Sequence, residues 1–446
     1  MRGDFSRDTF DASKHFCRVL MQQGRVQLDA DWNEQASISA HYLRCLAMDL
    51  IGAHGGPGDG FRISRIPASA KQPLADLGIA AGHYYVAGLL CENVAEAAAG
   101  GRGTAVTYLA QRDYPVSKET GSLPRPPFLV YLDVWERQIT AVEDDSIREP
   151  ALGGVDTCTR AQVVWQVKVL PIRAPLTRTT GATPSRLWRD SAEKALRGAA
   201  TRTPTLRARA YPDNGGAGSG AESAGVVKYR GAEDRLYRVE IHDGGASAPT
   251  FKWSRANGSV VFPVTTLQGM HVQVGRPNEL ESRLRCGDWV EVVDDDYALL
   301  WRAAPLLQVQ AIESSTGVVT LSGRPPVEVV SPAKKHPLLR RWEGWQQVPR
   351  PAAGGTMGWQ ELEDGVQVQF GSDGDYRTGD YWLIPARVVT GDVVWPTNGA
   401  GISSPAAMPP AGVEHHLAPL SVLIRQKGGN VIPLDIRRVF KRLTTD

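Results

Sequence analysis

At 446 residues the chain exceeds one ordinary domain, and about two to four are expected. Its 42% hydrophobic and 22% charged residues mark a globular protein with ample core material, which excludes a disordered or fibrous chain. With 50 Lys and Arg against 48 Asp and Glu, the net charge is +2 and no run of like charges stands out. That balance predicts no electrostatic pull toward nucleic acid or an anionic membrane.

The N-terminal segment MRGDFSRDTFD is polar where a signal peptide needs an apolar run. No stretch approaches the roughly 18 apolar residues of a membrane helix, so synthesis in the cytoplasm without a membrane span is expected. Arg2-Gly3-Asp4 spells a cell-adhesion tripeptide, but three residues coincide often by chance. The plainer reading is an arm whose charges and phenylalanines, Phe5 and Phe10, dock onto a neighbour or onto the chain's own fold.

In GRVQLDADWNEQ (24–35), Asp29, Asp31 and Asn33 alternate as the first oxygen ligands of a calcium loop do. Such a loop also needs a glycine at its sixth position and a glutamate at its twelfth, where Glu34 and Ala40 stand instead. The same letters suit a helix start, with Asp31 as N-cap, Glu34 three residues later and acidic charge at the positive end of the dipole. A helix is expected from about Trp32 to Ile51, with Ala36, Leu43, Leu46, Ala47 and Leu50 at helical spacing, ended by GAHGGPGDG (52–60).

Further on, 46 glycines and 30 prolines punctuate short β-type runs. These are FLVYLDVW (128–135), VVWQVKVL (163–170), RLYRVEIH (235–242), GDWVEVV (287–293), LLQVQAI (306–312), GVVTLSG (317–323), DGVQVQF (364–370) and GDYWLIP (379–385). A second helix is expected over roughly Ser185 to Ala199, and PDNGGAGSGAESAG (212–225) reads as a flexible linker or exposed loop. The expected fold is mainly β, with several small β-sandwich or barrel modules, an N-terminal arm and one long N-terminal α-helix. The expected divisions are 1–60 (arm and helix, an attachment element), 61–211 (first β domain), 212–225 (linker), 226–335 (second β module) and 336–446 (third β module and tail). Gly287-Asp288 and Gly379-Asp380 both precede a strand, which fits either two related modules or a common turn.

The chemical constellations are weak. Cys17, Cys45, Cys91, Cys158 and Cys286 are odd in number and widely spaced, which fits neither a disulfide framework nor a zinc site. Glu240, His242 and Asp243 invite an acid–base reading, but they end a strand and are followed by Gly244-Gly245, a natural turn. In Glu414-His415-His416 the adjacent histidines of an extended segment face opposite sides, which disfavours a shared metal. Asp294-Asp295-Asp296 and Ser372-Asp373-Gly374-Asp375 read as solvated turns, with a structural ion as the sharper alternative. No phosphate-binding loop, Gly-x-Ser-x-Gly or His-Glu-x-x-His motif is present. No catalytic residue, cofactor or metal is therefore assigned, and an enzyme is not expected. Of the 12 tryptophans, Trp135, Trp165, Trp253, Trp289 and Trp382 lie in strand-like runs and are expected in cores. Trp342, Trp345 and Trp359 lie in a looser stretch and are candidates for a glycan or partner surface.

RGDFSRDTFDASKH followed by VLMQQGRVQLDADWNEQ resembles the start of a bacterial family, a domain of unknown function, whose members accompany genes for phage-tail-like contractile injection systems. The resemblance continues through HYYVAGLLCEN (83–93), YLDVWERQITA (131–141), FKWSRANGSVV (251–261), YRTGDYWLIPAR (376–387) and GVEHHLAPLSVL (412–423). It implies a structural subunit of a contractile particle, at its baseplate, tail tip or fibre, partnered by other subunits and homo-oligomeric. The particle would assemble in the cytoplasm and be open to release from the cell. Arg2, Asp4, Phe5, Arg7, Phe10 and Trp32 are then the candidate assembly contacts. The alternative is a glycan-binding tip module or a particle-borne polysaccharide-degrading effector.

Overall fold

A computed structural model describes residues 1–67, 74–94, 106–116, 123–173, 184–199, 203–211, 228–245, 248–275, 280–326, 335–349, 357–372, 375–398, 404–426 and 428–441. The linker expected at 212–225 lies outside the described residues. Strands dominate, as the density of short apolar runs requires, and one long helix, Asp29–Ile51, stands near the N-terminus. Among the described residues no helix is long and apolar enough to cross a membrane.

The strands form three units nested inside one another. The first is built on a sheet ordered Val431–Asp435, His416–Arg425, Phe128–Ile139, Arg160–Pro171. Phe128–Ile139 pairs along its whole length with Arg160–Pro171, from Phe128 opposite Pro171 to Ile139 opposite Arg160. One face of this sheet packs with two smaller sheets around Phe61, Leu77, Tyr84, Leu132 and Val167. The other face, through Leu129 and Val422, receives Ala192 and Leu196 of the helix Pro184–Ala199. Cover on both sides explains why FLVYLDVW is apolar at every position but Asp133 rather than alternating.

The second unit is a sandwich. Its larger sheet runs Gly344–Gln347, Thr250–Ser254, Arg235–Asp243, Tyr381–Arg387, Asp392–Val393, and the smaller runs Gln360–Glu361, Val366–Phe370, Leu206–Ala210. Tyr237, Val239, Ile241, Phe251, Phe370 and Trp382 fill the space between them. The third unit is a closed six-stranded barrel, in the order Val261–Gln268, His271–Val274, Val318–Leu321, Leu307–Glu313, Trp289–Val293, Leu338–Trp342. It interrupts the sandwich between Ser254 and Gly344, and the sandwich in turn interrupts the first unit.

Modules in series at 226–335 and 336–446 are therefore not what forms. Residues 338–342 close the barrel, 344–347 and 381–387 belong to the sandwich, and 416–440 complete the first unit. The two Gly-Asp turns share one geometry without marking related modules. Gly287 has φ 93° and Gly379 φ 92°. The Asp288 and Asp380 carboxylates accept the backbone N–H of Arg285 at 2.8 Å and of Arg377 at 3.0 Å. One turn enters the barrel and the other the sandwich.

The long helix starts three residues earlier than expected. Leu28 is its N-cap, and Asp31 instead reaches back to the Leu28 N–H at 3.4 Å. Asp29 accepts both the backbone N–H (2.9 Å) and the hydroxyl (2.6 Å) of Ser6, and Glu34 accepts the Thr9 hydroxyl at 2.5 Å. The acids of GRVQLDADWNEQ thus lace the arm to the helix. The helix meets the first unit at Gly88, in the left-handed region at φ 76°, where a Cβ would lie 2.6 Å from the Arg44 carbonyl oxygen.

Candidate functional site

Period-two alternation sorts RLYRVEIHD into two faces. Tyr237, Val239 and Ile241 enter the sandwich core, so Arg238, Glu240 and His242 lie together on the opposite face, buried where the three units meet. Register places Lys252 beside Glu240 on one neighbouring strand and Tyr381 beside it on the other. The barrel wall presents a second cross-strand pair, Glu291 opposite Arg340. Lys252 joins the two units, with Nζ 2.5 Å from Glu291 and 3.4 Å from Glu240. Arg238 Nε donates to Glu240 at 2.6 Å, and Arg340 Nη1 lies 3.4 Å from Glu291.

Arg2 of the arm completes the cluster. Its Nη2 and Nε donate to the two Glu240 oxygens at 2.5 and 3.1 Å. Asn257 donates to the Gly3 carbonyl at 2.9 Å, and Gly3 has no room for a side chain, since a Cβ would sit 2.7 Å from the Phe5 ring. Arg2, expected as an assembly contact, is therefore an internal anchor, and the Arg-Gly-Asp tripeptide is not displayed for adhesion. Burial alone would raise the Glu240 pKa, but Arg2, Arg238 and Lys252 overcome it and hold the carboxyl well below its ordinary value. Glu291, with Lys252 and Arg340 prevailing over the same burial, is held at about 2. Both are ionised hydrogen-bond acceptors, so neither is a proton donor for catalysis.

Above the cluster lies a cavity of 320 Å³. Arg2, His242, Trp301, Arg340 and Tyr381 line it, and the exposed Arg302 and Glu414 stand at its mouth. Burial, then Lys252, lowers the His242 pKa to about 4, so its ring is neutral at pH 7. His415 points elsewhere, to Asp133 at 2.7 Å, while His416 lines the cavity, as opposite-facing neighbours should. Asp294 to Asp296 are not a freely solvated turn, since Asp294 is buried and Asp295 and Asp296 are half-buried in ion pairs. Asp294 caps the helix Asp295–Leu300 through the Tyr297 N–H at 3.2 Å. Asp295 pairs with Arg137 (2.5 Å) and His336 (2.7 Å), and Asp296 with Lys335 (2.7 Å). Of the other acidic cluster, Asp373 and Gly374 lie outside the described residues. Among the described residues no group of three or more His, Cys, Asp or Glu is placed to hold a metal ion.

The three candidate surface tryptophans separate. Trp342 is fully buried beneath Lys252, whose Nζ stands 4.5 Å from the ring centre, so it cannot face a glycan. Trp345 is 39% exposed, edge-on to Trp289. Trp359 is half-buried under the Arg209 guanidinium. All five thiols are free, Cys91 buried and the other four exposed.

The remaining arm candidates divide too. Asp4 and Arg7 are exposed, Phe5 is half-buried, and Phe10 is half-buried against His41. Trp32 is 80% exposed. It begins a stripe along the helix, Trp32, Ala36, Ser39, Leu43, Leu46, Leu50, whose alternating steps of four and three residues face solvent. Leu43, Leu46 and Leu50 are 68%, 56% and 77% exposed, whereas only Ala30 and Ile38 of the helix are fully buried. Sequence spacing identified most of the stripe; it did not tell which way the stripe faced.

The model of a family of unknown function (DUF6519) matches residues 1–192 and 181–429, a span that crosses all three units. No curated protein and no solved structure matches the chain.

Proposed function

We propose that the chain, which belongs to the family of unknown function DUF6519, is a structural subunit of a phage-tail-like contractile injection particle, in its baseplate, tail-tip or fibre region. It acts by protein–protein assembly, as a homo-oligomer among other subunits. The observation that carries this reading is the outward stripe of the helix Asp29–Ile51. Its 3.5-residue repeat is the spacing by which one helix packs knobs into the holes of another. Phe16, Leu20, Met21 and Val26 of the arm are exposed as well, at 55%, 69%, 54% and 82%. They add to the exposed apolar side chains of the helix, and exposed apolar surface of this kind marks interaction sites on a folded chain.

The arm and helix serve as the attachment element, and the three β units as a rigid body behind it. Purified protein is expected to self-associate and to co-sediment with sheath and tube in gradient-purified particles. A persistent monomer, absent from such particles, overturns the proposal. The alternative, a glycan-binding tip module or polysaccharide-degrading effector, keeps only Trp345 as a well-exposed ring among its three candidates.

A further inference from the structure

We propose that the junction cavity binds a small oxyanion, a carboxylate- or phosphate-bearing metabolite, between His242 and the guanidinium groups of Arg340 and Arg2. The proposal rests on the cavity alone and is independent of the assembly reading.

The first observation is charge. Arg2, Arg238, Lys252 and Arg340 share two carboxylates, Glu240 and Glu291, in a buried cluster. Elsewhere on the wall Arg44 closes with Glu136, whereas Arg137 serves two carboxylates, Asp295 and Glu143, and Asp294 stands beside them. The buried cluster taken by itself thus holds two more cations than carboxylates at low dielectric, and it is beside its guanidinium groups, not across the wall as a whole, that an anion would be held.

The second observation is unspent hydrogen-bonding capacity. His242 is nine-tenths buried on the cavity wall, and neither ring nitrogen has a partner among the described residues. A buried polar group is ordinarily hydrogen-bonded, so an orphan imidazole on a cavity wall needs a reason. Arg340 spends Nε on the Gly258 carbonyl (3.2 Å) and Nη1 on Glu291, which leaves Nη2 without a described acceptor. Arg2 spends Nε and Nη2 on Glu240, which leaves Nη1. Guanidinium forks and a neutral imidazole donor are the usual means of holding a carboxylate or phosphate.

Size sets the ligand class. At 320 Å³ the cavity is at the small end of the roughly 300–1,000 Å³ of metabolite pockets. Walls contributed by all three units suit a single sugar acid or phosphate ester rather than a polymer.

The test is calorimetric titration and thermal melting of the full chain at constant ionic strength, with inorganic phosphate, D-glucuronate and, as neutral control, D-glucose. Saturable binding of phosphate or glucuronate is expected, raising the unfolding midpoint, with no response to glucose. Binding of phosphate alone identifies a phosphate ester as the ligand class, and of glucuronate alone a carboxylate. His242→Phe keeps every charge and is expected to weaken binding at least tenfold. Should it fail to fold, Arg340→Lys serves, since it keeps the charge and loses the fork. Absence of binding by both anions, or unchanged affinity in the folded variant, overturns the proposal.

Discussion

The guanidinium of Arg2 grips Glu240 with two hydrogen bonds, at 2.5 and 3.1 Å, across 238 positions of sequence. This contact carries the N-terminal arm into the junction of all three units, so arm placement and core electrostatics are one problem. Glu240→Ala strands Arg2 and Arg238 while Lys252 keeps Glu291, and a loss of about 3–5 kcal/mol is expected, as for one partner removed from a buried pair. Arg2→Ala leaves Glu240 with two cations, and about 1.5–3 kcal/mol is expected, the worth of hydrogen bonds to a charged group. Urea unfolding checks the order; equal losses would show that Glu240 depends on Arg2 alone.

Acid should destabilise the fold in two windows. His242 is held at about 4 against an ordinary 6.5, so the folded ring stays neutral while the unfolded chain takes up a proton. Its contribution is complete above pH 6.5 and is lost toward pH 4, by up to about 1.4 kcal/mol per pH unit. Glu291, held at about 2 against an ordinary 4.5, contributes above pH 4.5 and loses that contribution as pH falls toward 2. Asp294 and Asp380 act oppositely, because burial raises their values and the folded state holds their protons longer. Comparing His242→Gln with the parent isolates the first window. The stability gap should change between pH 7 and pH 5, and a constant gap contradicts the assignment.

The outward helix stripe separates association from folding. Leu43→Glu with Leu46→Glu alters side chains that are 68% and 56% exposed, so stability should stay within about 0.5 kcal/mol. Light scattering after gel filtration is expected to show the parent as an oligomer and the double variant as a monomer. A parent that is already monomeric at high concentration removes the stripe from the assembly argument.

Gly287 and Gly379 share their turn and differ in surroundings. A Cβ on Gly287 meets nothing within 4 Å, while one on Gly379 would lie 2.4 Å from the Trp301 ring. Gly287→Ala should cost only backbone strain, of order 1–3 kcal/mol. Gly379→Ala adds overpacking of about 1–3 kcal/mol and pushes Trp301 off Trp135 and His415. Tryptophan fluorescence should shift for Gly379→Ala and not for Gly287→Ala.

Local features were legible from residues alone. The mainly β composition, the helix over Pro184–Ala199, the two Gly-Asp turns and the core positions of Trp135, Trp253 and Trp382 all follow from patterns within a few residues. The ion-pair cluster was legible only in part. Alternation in RLYRVEIH is the signal that could have set Arg238, Glu240 and His242 on one face, where only an acid–base set of Glu240, His242 and Asp243 was read, and nothing local said that the face would be buried. A polar face of a strand is ordinarily wet, and this one is dry because barrel, first unit and arm all close over it.

What sequence determined by itself was therefore the β class and the main elements, since rotamer, turn and periodicity effects act within one strand or one helical turn. Tertiary structure alone decided which faces meet. It sent residues 416–440 back to the first unit, placed the barrel inside the sandwich, buried Trp342, drew Arg2 inward and left Leu43 and Leu50 outside. Strand pairing and burial are bargains between residues hundreds of positions apart, and a hydrophobic run carries no mark of the partner that will cover it.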